Sequence, residues 1–233
     1  MADKNQEQIG CYTQVIIAAL NEEEGIGLTI SEISDTLGNI EVIVVDGKSS
    51  DRTVEVAEKL GAKIALQDGL GKGDALVKGI QLIDPQAKYI VITDADYTYP
   101  AKRLPDMIKI LEEKPRVGMV CGNRFNGHVD PKALHSIFEF GNRVIAFTHN
   151  FLLRTPLRDP LTGLRVVRAE ILRNWKVKSK GFDIEVELNK HVKRQGFDIE
   201  EVEIEYRQRL GKKKLTMKNG AEIFKRIFLE ATY

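Results

Sequence analysis

Five apolar, strand-like runs alternate with segments of helical spacing over the first half of the chain, and that alternation admits little except a mostly parallel sheet flanked by helices. The runs are Tyr12 to Leu20, Ile40 to Asp46, Ala62 to Leu66, Lys88 to Asp94 and Val117 to Cys121. Between them the spacing predicts helices over Glu22 to Thr36, Asp51 to Leu60, Lys72 to Leu82 and Arg103 to Glu113, with Ser50 or Asp51 as an N-cap and Gly61 as a stop. An α/β fold of this kind binds ligands beyond the carboxyl ends of its strands. Asn21, Glu22, Asp46, Asp94 and Asp96 all fall at such ends, so one edge of the sheet collects the chemistry.

After Cys121 the pattern changes. A long helical stretch runs from Pro131 through Leu153, followed by the turn punctuation of Thr155-Pro156 and Asp159-Pro160-Leu161-Thr162-Gly163. A strand at Leu164 to Arg168, a helix near Phe182 to Arg194, a strand at Asp198 to Tyr206 and an amphipathic tail from Thr216 onwards complete the reading. With 233 residues and no linker or repeat, a single domain is expected over 1–233. Its formal charge is +1, from 35 basic and 34 acidic residues, so no global field points to nucleic acid. Cys11 and Cys121 lie in or beside apolar runs and read as buried, reduced thiols, which makes the cytoplasm the default compartment. Residues 1–10 are polar, and no apolar run approaches the roughly 20 residues that span a bilayer, so any membrane contact is expected to be peripheral.

Asp94 and Asp96 stand one residue apart directly after the strand Tyr89-Ile90-Val91-Ile92-Thr93, where hard oxygen ligands can share Mg²⁺ or Mn²⁺. An Asp-rich turn is more often a cap or a solvated loop, so the doublet gains meaning only from its surroundings. Asp46 ends the second strand ahead of Gly47-Lys48-Ser49-Ser50-Asp51, a turn and helix start that present donors beside another carboxylate. Gly71-Lys72-Gly73 opens the third helix, where small residues permit close backbone approach and Lys72 can meet a polar or anionic donor group. Neither a P-loop nor a dinucleotide fingerprint is present. The histidines at 128, 135, 149 and 191 lack metal-ligand spacing and read as surface or packing residues. Glu185 and Glu187 cannot share one helix face; one is expected to point into the site and the other to be solvated.

Taken in order, Ala18-Ala19-Leu20-Asn21-Glu22, Val44 through Thr53, Gly71-Lys72-Gly73, Asp94-Ala95-Asp96, Gly122-Asn123-Arg124-Phe125, Asp159 through Arg165 and Gly211-Lys212-Lys213-Lys214-Leu215 resemble the family 2 glycosyltransferases of the GT-A fold. The resemblance covers nearly the whole chain and is closest to the polyprenyl (dolichyl) phosphate sugar synthases. It implies a nucleotide-sugar half over 1–122, an acceptor half over 123–215 and a C-terminal amphipathic helix over 216–233. It also implies an inverting transfer from a GDP- or UDP-sugar to a polyprenyl phosphate. Ala18, Glu22, Asp46, Lys72, Asp94 and Ala95 would line the nucleotide site, and Asp96, with or without Asp94, would hold Mg²⁺ or Mn²⁺ on the diphosphate. The family often has Pro where Ala18 stands and Asp where Gly47 stands, and its lipid-phosphate members commonly have Gln where Thr98 stands.

A lipid phosphate is already anionic near neutral pH, so cations matter more than a general base. Arg124, and Arg209 with Lys214, are the candidates for that phosphate, with Arg207 in reserve, because guanidinium forks suit phosphate oxygens. Asp159 either orients the acceptor, acts as base toward a hydroxyl, or only initiates a turn. A related transferase acting on a sugar or glycerol hydroxyl would need Asp159 or Glu185 as base; a non-catalytic module would bind donor without turnover. Membrane contact is expected through two amphipathic elements, the tail with apolar residues at 223, 224, 227 and 228, and a stretch containing Ile137, Phe138, Val144, Ile145, Phe147, Phe151, Leu152 and Leu153. The alternative is that both stripes pack on the sheet or on another subunit.

Overall fold

The computed structural model describes residues 12–125, 136–214 and 216–232. Strands β1 (Thr13–Ala19), β2 (Glu41–Asp46), β3 (Lys63–Leu66), β4 (Tyr89–Asp94), β5 (Val117–Asn123), β6 (Arg165–Arg168) and β7 (Asp198–Glu203) form one sheet in the order β3-β2-β1-β4-β6-β5-β7. β1, β2, β4 and β5 are buried along nearly their whole length, as continuous apolar runs must be when helices cover both faces. β1 pairs in parallel with β2 and β4, and β6 enters antiparallel between β4 and β5. The register sets Ala18 opposite Asp94 and Ala19 opposite Asp46, so three carboxyl ends lie level.

The helices are α1 (Ile26–Leu37), α2 (Thr53–Lys59), α3 (Lys72–Gln81), α4 (Leu104–Glu113), α5 (Ser136–Leu153), α6 (Ala169–Arg173), α7 (Ile184–Arg194) and α8 (Met217–Thr232). α1 begins later than the sequence pattern suggests because Glu22–Gly25 form a separate turn, closed by Gly25 and Ile26 N–H donating to the Glu22 carbonyl at 3.0 and 2.9 Å. A Cβ on Gly25 would lie 2.6 Å from the Ala95 carbonyl oxygen, so this glycine lets the turn carrying Glu22 close on the Asp94–Asp96 segment. α2 starts after Asp51, whose carboxylate accepts the Thr53 N–H at 3.0 Å.

One core layer packs Ile30, Ile33, Met107 and Ile108 of α1 and α4 on Val15, Ile17, Val44 and Val91. The opposite layer packs Leu76, Leu172, Leu188 and Val192 on Ile16, Ile43, Ile90 and Ile92. A third cluster joins Ile145 and Leu153 of α5, Val186 of α7, and Ile223 and Ile227 of α8. The tail's apolar stripe is therefore largely internal, which corrects the expectation that it faces a membrane; each such side chain contributes roughly 1.5–3 kcal/mol by leaving water. Cys121 is a buried free thiol whose pKa burial pushes up to about 11, while Cys11 lies outside the described residues. Among the described residues no helix is long and apolar enough to cross a membrane.

Candidate active site

The level carboxyl ends of β1, β2 and β4 open onto a cleft lined by Ala18, Glu22, Lys72, Asp94, Ala95 and Asp96, with Gly47 and Gln67 at its sides and Arg209 and Lys214 reaching in from after β7. An adjoining cleft shares Lys72, Asp94, Asp96, Phe182 and Arg209, and adds Tyr99, Arg124, Glu185 and Tyr206. The two lobes thus meet at the Asp94–Asp96 turn. Asp46 does not line either lobe. It is buried, and its carboxylate accepts the Ser49 N–H at 2.8 Å and the Ser49 hydroxyl at 2.5 Å, which shapes the turn beside Gly47.

Lys72 sits between two carboxylates, with Nζ 2.7 Å from Asp94 Oδ1 and 2.7 Å from Glu185 Oε1. Burial opposes charge on Lys72 and on Asp94, yet Lys72 is held above its ordinary pKa by the two acids, and Asp94 is held below its own by Lys72. Asp94 also packs against Gly163, where a Cβ would collide with the carboxylate, 2.9 Å from its Cγ. Asp96 behaves oppositely: burial, then repulsion from Asp94, raises its pKa. Its Oδ1 accepts the Thr98 hydroxyl at 2.6 Å and Oδ2 lies 3.0 Å from Arg209 Nη1.

Arg209 and Lys214 both reach Glu22, and Lys214 also donates to the Asn21 carbonyl at 2.9 Å. Burial raises the Glu22 pKa despite these cations, and its Oε2 is buried with no hydrogen-bond partner among the described residues. Lys214 therefore stands at the donor-side lobe, away from Arg124. Arg207 is held elsewhere, bidentate to Glu32 at 2.6 and 2.9 Å and stacked on Tyr97. In the second lobe Arg124 grips Asp159 through Nε and Nη2 at 2.6 and 2.7 Å, and its backbone N–H donates to the same carboxylate at 3.1 Å. Glu201 in turn accepts the Arg158 and Asp159 N–H groups, both at 2.8 Å. Asp159 is thus a buried anchor for Arg124.

Residues 14–175 match the family model described as glycosyl transferase family 2. The chain belongs to that family. It is 33% identical over 217 residues to the dolichyl-phosphate hexose transferase of Haloferax volcanii, covering 91% of each chain. It is 25% identical over 183 residues to the dolichol-phosphate mannosyltransferase of Pyrococcus furiosus, covering 75% of this chain and 51% of that one. Among solved structures, the glucosyl-3-phosphoglycerate synthase of Mycobacterium tuberculosis with Mn²⁺, UDP-glucose and phosphoglyceric acid superposes with a TM-score of 0.77 at 19% identity, covering 97% of this chain and 84% of that one. The same enzyme with UDP gives 0.78 at 20% identity, covering 100% and 85%. The fold is GT-A, and the chain is a glycosyltransferase.

Among the described residues of this family 2 glycosyltransferase, no group of three or more His, Cys, Asp or Glu side chains is placed to hold a metal ion. Two hard carboxylates of one turn, Asp94 and Asp96, do face one cleft, which Glu22 also lines. That donor set fits Mg²⁺ or Mn²⁺ arriving with a diphosphate, because such ions commonly take one or two protein carboxylates and complete their shell with phosphate oxygens and water.

Several residues of the two lobes escape sequence reasoning. Tyr99 accepts the Gly163 N–H at 2.8 Å, and Tyr206 stacks on Arg124 at 5.3 Å. Arg165, fully buried, holds the turn before β6 through the Pro160 and Thr162 carbonyls at 2.8 and 2.9 Å and Asn189 Oδ1 at 2.5 Å. Its place at the end of the Asp159 to Arg165 segment and at the start of an apolar strand signals it, but not what it holds. Glu185 is the member of its pair that faces the site. Glu187 is not solvated as expected: it is buried and accepts the Lys178 and Ser179 N–H groups at 2.8 and 2.6 Å. His149 and His191 are packing residues, on Asn189 and on the Trp175 ring; His128 and His135 lie outside the described residues.

Proposed function

We propose that this glycosyltransferase moves a hexose, with inversion, from a GDP- or UDP-sugar to a polyprenyl (dolichyl) phosphate. The observation that carries the reading is the junction of the two lobes. A carboxylate-lined cleft and a pocket walled by Arg124 share the Asp94–Asp96 turn, so a donor diphosphate and an anionic acceptor would meet across it. Ala18, Glu22, Lys72, Asp94 and Ala95 form the donor wall, and Asp96 with Asp94 would hold Mg²⁺ or Mn²⁺. When bound, the ion neutralises charge that grows on the departing nucleotide.

Arg124 takes the acceptor phosphate. Asp159 fixes the guanidinium plane and leaves its outer edge toward the lobe, so the pair presents a rigid donor fork. Arg209 lines both lobes and links Glu22 to Asp96, so its guanidinium stands where it would reach the phosphates of donor and acceptor. Both oxygens of Asp159 are occupied by Arg124 and Glu185 is tied to Lys72, an arrangement that suits an acceptor already ionised rather than a hydroxyl that must be deprotonated. The dolichyl-phosphate names of the two relatives point the same way. We place the lipid side at a membrane surface, approached peripherally from the cytoplasmic face through α5, whose Val144, Phe147 and Phe151 remain exposed.

The test is incubation of the protein with UDP- and GDP-hexoses, Mn²⁺ or Mg²⁺, and a short polyprenyl phosphate. Lipid-linked sugar of inverted anomeric configuration, seen by mass spectrometry and NMR, is the expected result. Transfer only to a glycerol or sugar hydroxyl, or nucleotide binding with no turnover on any acceptor, overturns it.

A further inference from the structure

The C-terminal helix α8 lines no part of the donor lobe, yet it grips the segment that seats Lys72. Arg226, largely buried, donates from Nε to Asp183 Oδ2 at 2.8 Å. The other Asp183 oxygen accepts the Ser179 hydroxyl and the Gly181 N–H, so residues 179–183 close into a turn around one carboxylate. Glu187 holds the preceding backbone and lies 3.7 Å from Arg226 Nη1, and Glu230 lies 3.6 Å from the same nitrogen. Three acids therefore converge on one guanidinium.

That turn packs backbone to backbone on the start of α3. A Cβ on Gly71 or Gly73 would collide with the Lys180 and Ser179 carbonyls, and Gly73 N–H donates to the Lys180 carbonyl at 3.0 Å. Lys72 stands between these two glycines and carries the Asp94–Glu185 bridge. Phe182, inside the clasped turn, lines both lobes. The glycines beside Lys72 thus give the close backbone approach read from the sequence, and what approaches is the protein's own chain.

We infer that Arg226 and Asp183 are positioning residues: through the 179–183 turn, the C-terminal helix sets Lys72 and Phe182 for the donor. Without the guanidinium, Glu230 keeps Arg194 at 2.8 Å, but Asp183 and Glu187 lose the cation they share and repel each other, and the turn moves off Gly71 and Gly73. The inference deepens the proposed function and rests on its donor assignment.

Arg226→Gln and Arg226→Lys in the full chain test it, with hydrogen exchange and substrate kinetics measured on each. In Arg226→Gln the amides of 178–183 and of Gly73 are expected to exchange about tenfold faster, with β1 and β4 unchanged. KM for the nucleotide-sugar rises about ten- to a hundredfold, and KM for the acceptor rises less, since Lys72 and Phe182 also border its lobe; Arg226→Lys restores most of both. Unchanged exchange at 178–183 and Gly73 overturns the inference. So does donor KM unaltered in a variant whose turn has loosened, or a loss shared equally by both substrates. If the wild type binds no nucleotide, the proposed function falls, and the exchange measurement alone decides whether α8 controls the turn.

Discussion

Thr98 stands two residues beyond the carboxylate it serves, and its hydroxyl and backbone N–H, at 2.6 and 3.2 Å, together hold one oxygen of Asp96. A carboxylate with one oxygen fixed presents the other in a defined direction, so the contact matters more for binding than for folding. Thr98→Val keeps the shape and removes the donor. Stability is expected to fall by about 1 kcal/mol, and Mn²⁺ affinity in the presence of a nucleoside diphosphate by roughly 10- to 100-fold, both readable by melting and by titration. An unchanged metal affinity would show that the backbone N–H and Arg209 hold Asp96 without the hydroxyl. Gly163 makes a complementary case. Gly163→Ala drives a methyl group into Asp94, so the carboxylate must leave Lys72 or the β6 entry must shift. Overpacking of this kind costs about 1–3 kcal/mol, and turnover should fall far more than the melting temperature suggests, because the lost geometry is that of the shared turn.

At the scale of elements, α5 has two working faces. Its inner face buries Ile145 and Leu153 and holds the following loop, with Asn150 Nδ2 donating to the Leu157 carbonyl at 2.7 Å. Its outer face exposes Phe147 and Phe151 at 73% and 74%, their rings stacked 6.2 Å apart. Phe147→Ser with Phe151→Ser is expected to leave thermal stability within about 0.5 kcal/mol and to weaken sedimentation with polyprenyl-phosphate vesicles at least about tenfold; unaltered vesicle binding would discard α5 as the membrane-facing element. Sequence periodicity shows that a helix has an apolar face but not what covers that face. The α8 stripe therefore reads from sequence as either membrane-facing or internal, and what decides is that Ile223 and Ile227 meet α5 and α7, which are distant in sequence. The strands were legible because burial on both faces leaves continuous apolar runs, and their ends placed Glu22, Asp94 and Asp96 together, while Lys72 was read from the start of a helix. The antiparallel insertion of β6 and the reach of Arg209 to Glu22, 187 residues apart, depend on nonlocal pairing that no local pattern encodes.

For the whole molecule, acid stability turns on His149, which ties α5 to α7 and to the turn before β6. The imidazole has no exposure; Nε2 accepts from Asn189 Nδ2 at 3.0 Å while Nδ1 donates to Asn150 Oδ1 at 3.1 Å, a pattern that requires the neutral ring. Asn189 donates also to the Pro160 carbonyl and accepts from Arg165, so a second proton on the ring has no acceptor to meet. Burial, joined by Arg165 and opposed only by the Asn150 hydrogen bond, lowers the His149 pKa to about 4. Between there and the ordinary value near 6.5, the unfolded chain binds the proton and the folded one does not, so stability rises with pH across this window and is lost on acidification. The loss is about 2 kcal/mol between pH 7 and pH 5. Glu22, Asp96 and Glu201 work in the opposite direction: their pKa values are raised by burial, so the folded state takes up protons more readily and acid relieves it. His191, lowered by burial, adds to the His149 trend. The difference between the wild type and His149→Gln cancels these shared contributions. Urea unfolding at pH 7, 6 and 5 should therefore show the two proteins converging by about 2 kcal/mol as pH falls. Parallel curves would mean that the ring is protonated inside the fold, and that the Asn189–Pro160 link to the Asp159 turn is built differently.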